Sequence, residues 1–306
     1  MELIENFDIN LENSVVTIGT FDGVHLGHRK IIELLNKSAS RIGGKSVVIS
    51  FRTHPRKVLG KSDLKLLTPG EEKIELLEKA GVDLLIYTDF TKEIARMTAV
   101  EFTEKILMQK LHVRHLIVGF NHRFGKDRGG DYATLVRMRS KYSFEVIQAP
   151  PVYLGDKPVS STLIREALAR GDVKLANSML GYDYFLYGKV IEGDRLGRKI
   201  GFPTANLAVN PEKLMPKVGV YLVRVTVDQK NYYGLLNYGF KPTVGGKLEA
   251  VAEVHILDFN KDIYGQKIKV EFIERIRDEK KFSSLNELKR QIINDLNQTM
   301  TFLRKL

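Results

Sequence analysis

Near residue 181 the hydrophobic pattern of this 306-residue chain changes period, and that break limits it to two folds joined in series. Before it, short β-branched runs at residues 14–19, 46–51, 83–88, 115–120 and 144–149 alternate with helical patterns at 71–80, 98–111, 131–141 and 161–179. Strands separated by helices pair in parallel, because each crossover helix returns the chain to the same end of the sheet. After the break, runs at residues 184–192, 220–227, 232–238, 250–257 and 268–276 alternate apolar and polar side chains with turn residues between them. Small antiparallel barrels read this way. A last helical stretch, 284–303, places Leu285, Leu288, Ile292, Leu296 and Leu303 on one face, as a helix packed on the barrel requires. The expected organisation is an α/β domain with a parallel sheet over residues 1–182 and a small antiparallel β-barrel with a C-terminal helix over residues 183–306.

A hydrophobic content of 43% is enough to give each part its own core. No run approaches the ~20 apolar residues of a membrane span, and the N-terminus Met1-Glu2-Leu3-Ile4-Glu5 is acidic, so a cytoplasmic protein is expected. With no cysteine, disulfides and thiolate chemistry are excluded. The net charge of +11 divides into +5 over residues 1–182 and +6 over 183–306. Without a basic arm or RNA-binding aromatic motif, such an even excess points to small anionic substrates. Nucleic acid, membranes and an obligate protein partner are not expected.

The run Val15-Val16-Thr17-Ile18 leads into Gly19-Thr20-Phe21-Asp22-Gly23-Val24-His25-Leu26-Gly27-His28, and Ile31, Ile32, Leu34, Leu35 and Ala39 follow at helical spacing. The loop therefore opens a helix, where free backbone N–H groups and the positive dipole end favour an anion and Gly27 lets the chain approach it. His25 and His28, three residues apart, share a face of the first turn. This loop resembles that of the HxGH nucleotidyltransferases, which attack the α-phosphate of ATP and expel pyrophosphate. The resemblance implies a Rossmann-like domain in which His25 and His28 hold the triphosphate, with Gly19, Phe21 and Asp22 at the nucleotide.

Two further segments are similar to one branch of that superfamily, the prokaryotic FMN adenylyltransferases. Gly119-Phe120-Asn121-His122-Arg123-Phe124-Gly125 matches its Gly-x-Asp/Asn-x-x-Phe-Gly loop and implies Asn121 near the nucleotide. Ser160-Ser161-Thr162-Leu163-Ile164-Arg165 matches a helix start in which Ser161 or Thr162 caps the helix and Arg165 approaches the triphosphate. The chain departs from the family pattern at Arg52-Thr53, before His54-Pro55, and at His122, which stands at a commonly aromatic position.

In the second part, Gly193-Asp194-Arg195-Leu196-Gly197-Arg198-Lys199-Ile200-Gly201-Phe202-Pro203-Thr204-Ala205-Asn206 resembles the glycine-rich flap and Gly-Phe-Pro-Thr-Ala-Asn motif of riboflavin kinases. Gly234 to Thr243 and Glu253-Val254-His255 resemble two further strands of that family. The resemblance implies that Gly197, Lys199, Gly201, Pro203, Thr204 and Asn206 meet ATP, with Thr204 and Asn206 as oxygen ligands of Mg²⁺. It implies Glu253, pointing into the barrel mouth, as the base for a ribityl hydroxyl, and Asn237, Arg277 and Glu279 as flavin contacts.

Seven segments in family order, the last of them Tyr264-Gly265 with Ile276 to Phe282, make the chain similar over residues 14–295 to the prokaryotic bifunctional riboflavin kinase/FMN adenylyltransferases. The implied chemistry is phosphorylation of riboflavin to FMN and adenylylation of FMN to FAD, both with ATP and Mg²⁺. On sequence two other readings stay open: one working activity, with the kinase closer to pattern, or a flavin-binding regulator without turnover.

Overall fold

A computed structural model describes residues 1–58, 60, 64–193, 196–242 and 248–304, with backbone only for 196, 199, 242, 248 and 249. Its strands β1 (Glu2–Ile4), β2 (Ser14–Ile18), β3 (Lys45–Phe51), β4 (Leu84–Thr88), β5 (Val113–Gly119) and β6 (Glu145–Ala149) form one sheet in the order β1-β4-β3-β2-β5-β6. Every pair in it is parallel. β3 from Ser46 onward and β4 throughout are buried, so both faces of these strands are covered. The order reverses at β2, which has β3 on one side and β5 on the other; such a point opens a ligand crevice beyond the carboxyl ends of the strands. Helix α1 (Leu26–Ile42) leaves the end of β2, buries Ile32, Leu35, Ser38 and Ala39, and stops at Gly43, whose φ of 62° suits a residue without Cβ.

The single helix expected over 98–111 is divided. A capped turn at Ala99–Phe102 passes into a wider π-type segment, Thr103–Met108, where the Thr103 hydroxyl donates to the Ala99 carbonyl at 2.8 Å. The sheet also gains β1, too short and too polar to stand out in the sequence. A two-stranded hairpin, β7 (Tyr153–Leu154) and β8 (Lys157–Pro158), follows it.

The second sheet is a closed antiparallel barrel of β9 (Phe185–Ile191), β10 (Ala205–Val209), β11 (Gly219–Val227), β12 (Lys230–Pro242), β13 (Leu248–Ile256) and β14 (Lys267–Arg277) in the order β10-β13-β12-β11-β14-β9. Leu236, Val254, Val270 and Phe272 are fully buried in its core. Five strands follow the expected runs; the sixth, β10, begins at Ala205 within the Pro203-Thr204-Ala205-Asn206 motif and continues to Val209. By packing, the chain forms two compact units, Met1–Ser161 and Thr162–Leu306. Helix Val173–Leu180, expected with residues 1–182, belongs to the second unit, where the Asn177 amide donates to the Phe272 carbonyl at 2.8 Å.

The C-terminal helix Leu285–Leu303 is capped by Ser284, whose hydroxyl accepts the Glu287 N–H at 3.2 Å. Its inward centre is polar, Asp295 and Thr299, and Leu285 is half exposed. Leu288, Ile292, Leu296 and Leu303 of the expected stripe are half-buried on this same side, so the stripe faces inward except at Leu285, and the polar pair interrupts it. The reason lies in Arg277 of β14, which receives Asp295 as a counter-charge.

Candidate active sites

The loop after β2 is held in a conformation that few side chains adopt freely. Phe21, Gly23 and Val24 have φ of 45°, 91° and 35°. For Val24, β-branched and fully buried, this is strain on the order of 1–3 kcal/mol, which only a clamped surrounding sustains. The clamp is visible. Asp22 Oδ1 accepts the N–H groups of Leu67 and Thr68 at 2.9 and 3.1 Å, the Gly23 N–H donates to Thr68 Oγ1 at 2.9 Å, and the Ser161 hydroxyl donates to the Asp22 carbonyl at 2.8 Å. Asp22, proposed as a nucleotide contact, is thus buried and braces the loop. Ser161 is the first residue of helix Ser161–Arg170 and ties that helix start to the loop. Gly19 is bare for Phe21, whose ring would lie 3.2 Å from a Cβ placed there.

His25 caps α1: its Nδ1 accepts the His28 N–H at 3.3 Å. The two imidazoles stack with centroids 3.7 Å apart and planes 16° from parallel, and Phe21 lies 5.0 Å from His28. The room for this stack comes from Gly27, because a Cβ there would sit 3.1 Å from the His25 ring. Burial first, then His25 and the Lys73 ammonium, hold His28 well below the ordinary imidazole range, so it is neutral at pH 7. Its Nδ1 is enclosed and has no hydrogen-bond partner among the described residues. A neutral imidazole offers one N–H donor and one acceptor, and its stacking on His25 fixes where they point.

Asn121 stands on the turn after β5, where the His122 N–H donates to the Gly119 carbonyl at 3.1 Å. It lines a cavity of about 530 Å³ with Phe120, His122, Arg123, Arg128 and Tyr132; the two stacked histidines are not among the described walls. His122 resolves one departure from the family pattern. Its ring stacks on Phe124 at 5.5 Å, and burial with help from Arg128 pushes its pKa down to about 4, so it serves as an uncharged flat ring where an aromatic residue is usual. The other departure is structural: Arg52 pairs with Glu5 at 2.6 Å. Thr162 and Arg165 follow Ser161 on their helix and fall within the second compact unit; Thr162 is exposed and Arg165 half-buried.

In the barrel, register builds the site. Asn206 of β10 pairs with Glu253 of β13, and Glu253 pairs with Asn237 of β12. Directly paired residues share a face, so the two amides flank the carboxylate in one row across three strands. The buried neighbours Ala252, Val254 and Ile256 take the core face, which puts Glu253 on the outer face of the barrel and not in its mouth. Lys241, unremarked in the sequence, forms an ion pair with Glu253.

The glycine-rich flap lies directly on this row. A Cβ on Gly193 would collide with the Asn206 side chain, and one on Gly197 would strike the Phe202 carbonyl and come within 3.3 Å of Thr204 Oγ1. Gly201, with φ of 89°, turns the flap back toward Pro203, whose carbonyl hydrogen-bonds His255 Nδ1 at 2.8 Å. Thr204 and Asn206 thus sit under a cover that only glycines allow. They are hard oxygen donors beside a carboxylate, and among the described residues no cluster of three His, Asp or Glu side chains could hold a metal. That donor set fits Mg²⁺, which takes few protein ligands and completes its shell with water and phosphate. The Lys199 side chain, Asp194, Arg195 and Thr243 lie outside the described residues.

Of the expected flavin contacts, Glu279 lies over Gly239, where a Cβ would meet its carboxylate. Arg277 is engaged elsewhere: its Nε donates to both Asp295 oxygens at 3.0 and 2.9 Å, and its Nη1 donates to the Asp278 carbonyl at 3.0 Å. Lys73 was missed in the first unit. It occupies the buried phase of helix Glu71–Lys79 with Leu76 and Leu77, and a lysine inside that i, i+3, i+4 stripe is the signal that marks it.

Residues 8–163 match the family model described as FAD synthetase, and residues 180–303 match that described as riboflavin kinase. The bifunctional riboflavin kinase/FMN adenylyltransferase of Haemophilus influenzae is 38% identical over 301 residues, 98% of this chain and 97% of the relative. The protein of that description from Bacillus subtilis is 38% identical over 298 residues, covering 96% and 93%. A crystal structure described as a macrolide-efflux protein from Streptococcus pneumoniae superposes with a TM-score of 0.89 at 35% identity, over 97% of this chain and 98% of that one. Among the described residues no helix is long and apolar enough to cross a membrane. With both domain models in order and full-length relatives on either side of them, the chain belongs to the bifunctional riboflavin kinase/FMN adenylyltransferase family.

Proposed function

We propose that this chain makes flavin cofactors in two ATP-dependent steps, converting riboflavin to FMN in the barrel and FMN to FAD in the parallel-sheet domain. The reading is carried by the coexistence of two separate constellations: the stacked pair His25–His28 at the head of α1, and the row Asn206–Glu253–Asn237 beneath a glycine flap.

In the kinase step, Glu253 accepts the proton of the ribityl 5′-hydroxyl as that oxygen attacks the γ-phosphorus and ADP departs. Lys241 pairs with Glu253 through a single carboxylate oxygen, Oε1. Asn237 orients the flavin side of the row, and Gly197, Lys199, Gly201 and Pro203 shape the flap over the nucleotide. Thr204 and Asn206 would hold Mg²⁺, which supplies charge neutralisation at the transferring phosphate. Glu279 is retained as a flavin contact, while Arg277 acts through the C-terminal helix by way of Asp295.

In the adenylyl step, an oxygen of the FMN phosphate attacks the α-phosphorus of ATP and pyrophosphate departs. The nucleophile is already ionised, so no base is needed, and the residues act by orientation and by stabilising charge. His28 contributes a neutral imidazole held in place by its stack on His25, and the loop from Gly19 through Phe21 and Asp22 supplies their footing. Asn121, Thr162 and Arg165 are assigned to the nucleotide by family resemblance, with Ser161 anchoring the helix start. The functional boundary is placed at 182/183, the setting cytoplasmic, and the partners are the small-molecule substrates.

Incubating the protein with riboflavin, ATP and Mg²⁺ and separating flavins chromatographically tests the reading: FMN accumulates first and FAD after it. Formation of FMN alone, or of neither product, refutes it.

A further inference from the structure

Lys73 is 3% exposed, a depth at which lysine is rarely found. Its ammonium is poorly served there. It donates to Ser50 Oγ at 3.4 Å and to the Phe51 carbonyl at 3.3 Å, and it lies 5.2 Å from the centre of the Tyr87 ring. The carboxylate whose charge supports it, Asp22, has an oxygen already accepting two backbone N–H groups. Burying a charge so weakly paired costs several kcal/mol, and a methionine would fill the same space without that penalty. Packing alone therefore gives no reason for an ammonium.

Its location does. Ser50 and Phe51 end β3 and Tyr87 is next to the end of β4, so the charge stands at the carboxyl edge of the sheet, one strand from the order reversal at β2. Ser50 Oγ also donates to the Thr20 carbonyl at 3.1 Å, which links Lys73 to the base of the histidine loop. The ionisable groups it faces are Asp22 from that loop, His28 from α1 and Tyr87 from β4; Arg52, at the end of β3, shares the Tyr87 ring at 5.8 Å.

We propose that Lys73 is a positioning residue for adenylyl transfer, fixing the loop of His25 and His28 through Asp22, Ser50 and Thr20 and placing a buried positive charge beneath the nucleotide's phosphates. The proposal rests on the reading of this loop as the nucleotide grip. Burial, opposed by Asp22, brings Lys73 down to about 8, so the charge is present at pH 7 and is lost as pH rises through that value in the free enzyme.

The test uses the full chain and its Lys73→Met variant, with kcat and KM for ATP in FMN-to-FAD conversion measured from pH 6 to 10. Riboflavin-to-FMN conversion and thermal melting are measured alongside. Expected for the variant at pH 7 is a loss on the order of 10- to 100-fold in kcat/KM for adenylyl transfer, with the kinase unchanged. The parent chain should show kcat/KM, which reports free-enzyme groups, declining above about pH 8, and the variant should lack that step. Undiminished adenylyl transfer in the variant overturns the proposal, as does a loss that leaves the alkaline step in place or that strikes both activities with a lowered melting point. If the parent chain forms no FAD from FMN and ATP, the underlying reading falls first and the proposal with it.

Discussion

Replacing Gly193 by alanine adds a single methyl at the point where the flap touches the barrel. The backbone of Gly193 lies outside the left-handed region, so alanine meets no conformational penalty and the effect is one of contact. The new Cβ would stand 2.5 Å from Asn206 Cγ and 2.9 Å from its Oδ1, against the ~3.5–4.0 Å that carbon contacts require. Asn206 could clear the methyl only by turning its buried side chain out of the row it shares with Glu253, so with that row intact it stays where it is. The flap must therefore rise by about 1 Å, and overpacking of this size costs ~1–3 kcal/mol. Drawn from the closed, phosphate-covering state, that range corresponds to a loss of about 5- to 150-fold in kinase kcat/KM. Initial rates of FMN formation measure it, with FAD formation from supplied FMN as the internal reference. A kinase rate within twofold of the parent, or an equal loss in both reactions, would refute the argument that the flap must seat on Asn206.

His28→Ala should lower FAD formation on the order of 100-fold, as removal of one preorganised donor does, and leave FMN formation intact in separate product assays. Asp295→Ala strands the Arg277 guanidinium, whose partner is almost wholly buried, and should cost ~3–5 kcal/mol in denaturant melts followed by barrel signals; a loss below 1 kcal/mol would mean that water replaces the carboxylate. His122→Phe should keep the KM for FMN within a few-fold of the parent, since the native ring is already flat and uncharged. The same variant should alter acid stability. His122 is held at about 4 when folded and returns to about 6.5 when unfolded, so the unfolded chain binds the extra proton and stability is lost as pH falls from 6.5 toward 4. Melting temperatures of His122→Phe should fall less steeply over that window.

The histidine loop was legible because strand, glycines and helix follow one another without a gap, and the local backbone dictates what they form. What Asp22 does was not, because its partners Leu67 and Thr68 are 45 and 46 residues away and give no local pattern. The alternation at residues 250–257 told that Glu253 and His255 share a face but not which face is inside. Lys73 hid because a charge in an apolar stripe is read as noise in the stripe. Arg277 and Asp295 hid each other: a polar residue at the centre of a helix face makes sense only once the strand beneath supplies its opposite charge. His122 shows the converse, a departure in residue type that burial turns back into the expected physical object.

Closure of the barrel has a consequence for how this enzyme can vary. Glu253 keeps its two amide neighbours only while three strands hold their present alignment, and sliding any one by a single residue would turn its side chain from one surface to the other. An open sheet could drift in this way at its outermost member. A ring of six has no outermost member, so slippage anywhere must break hydrogen bonds along two seams at once. Length changes are thereby channelled into the connecting loops, and the Glu253 carboxylate is insulated from them.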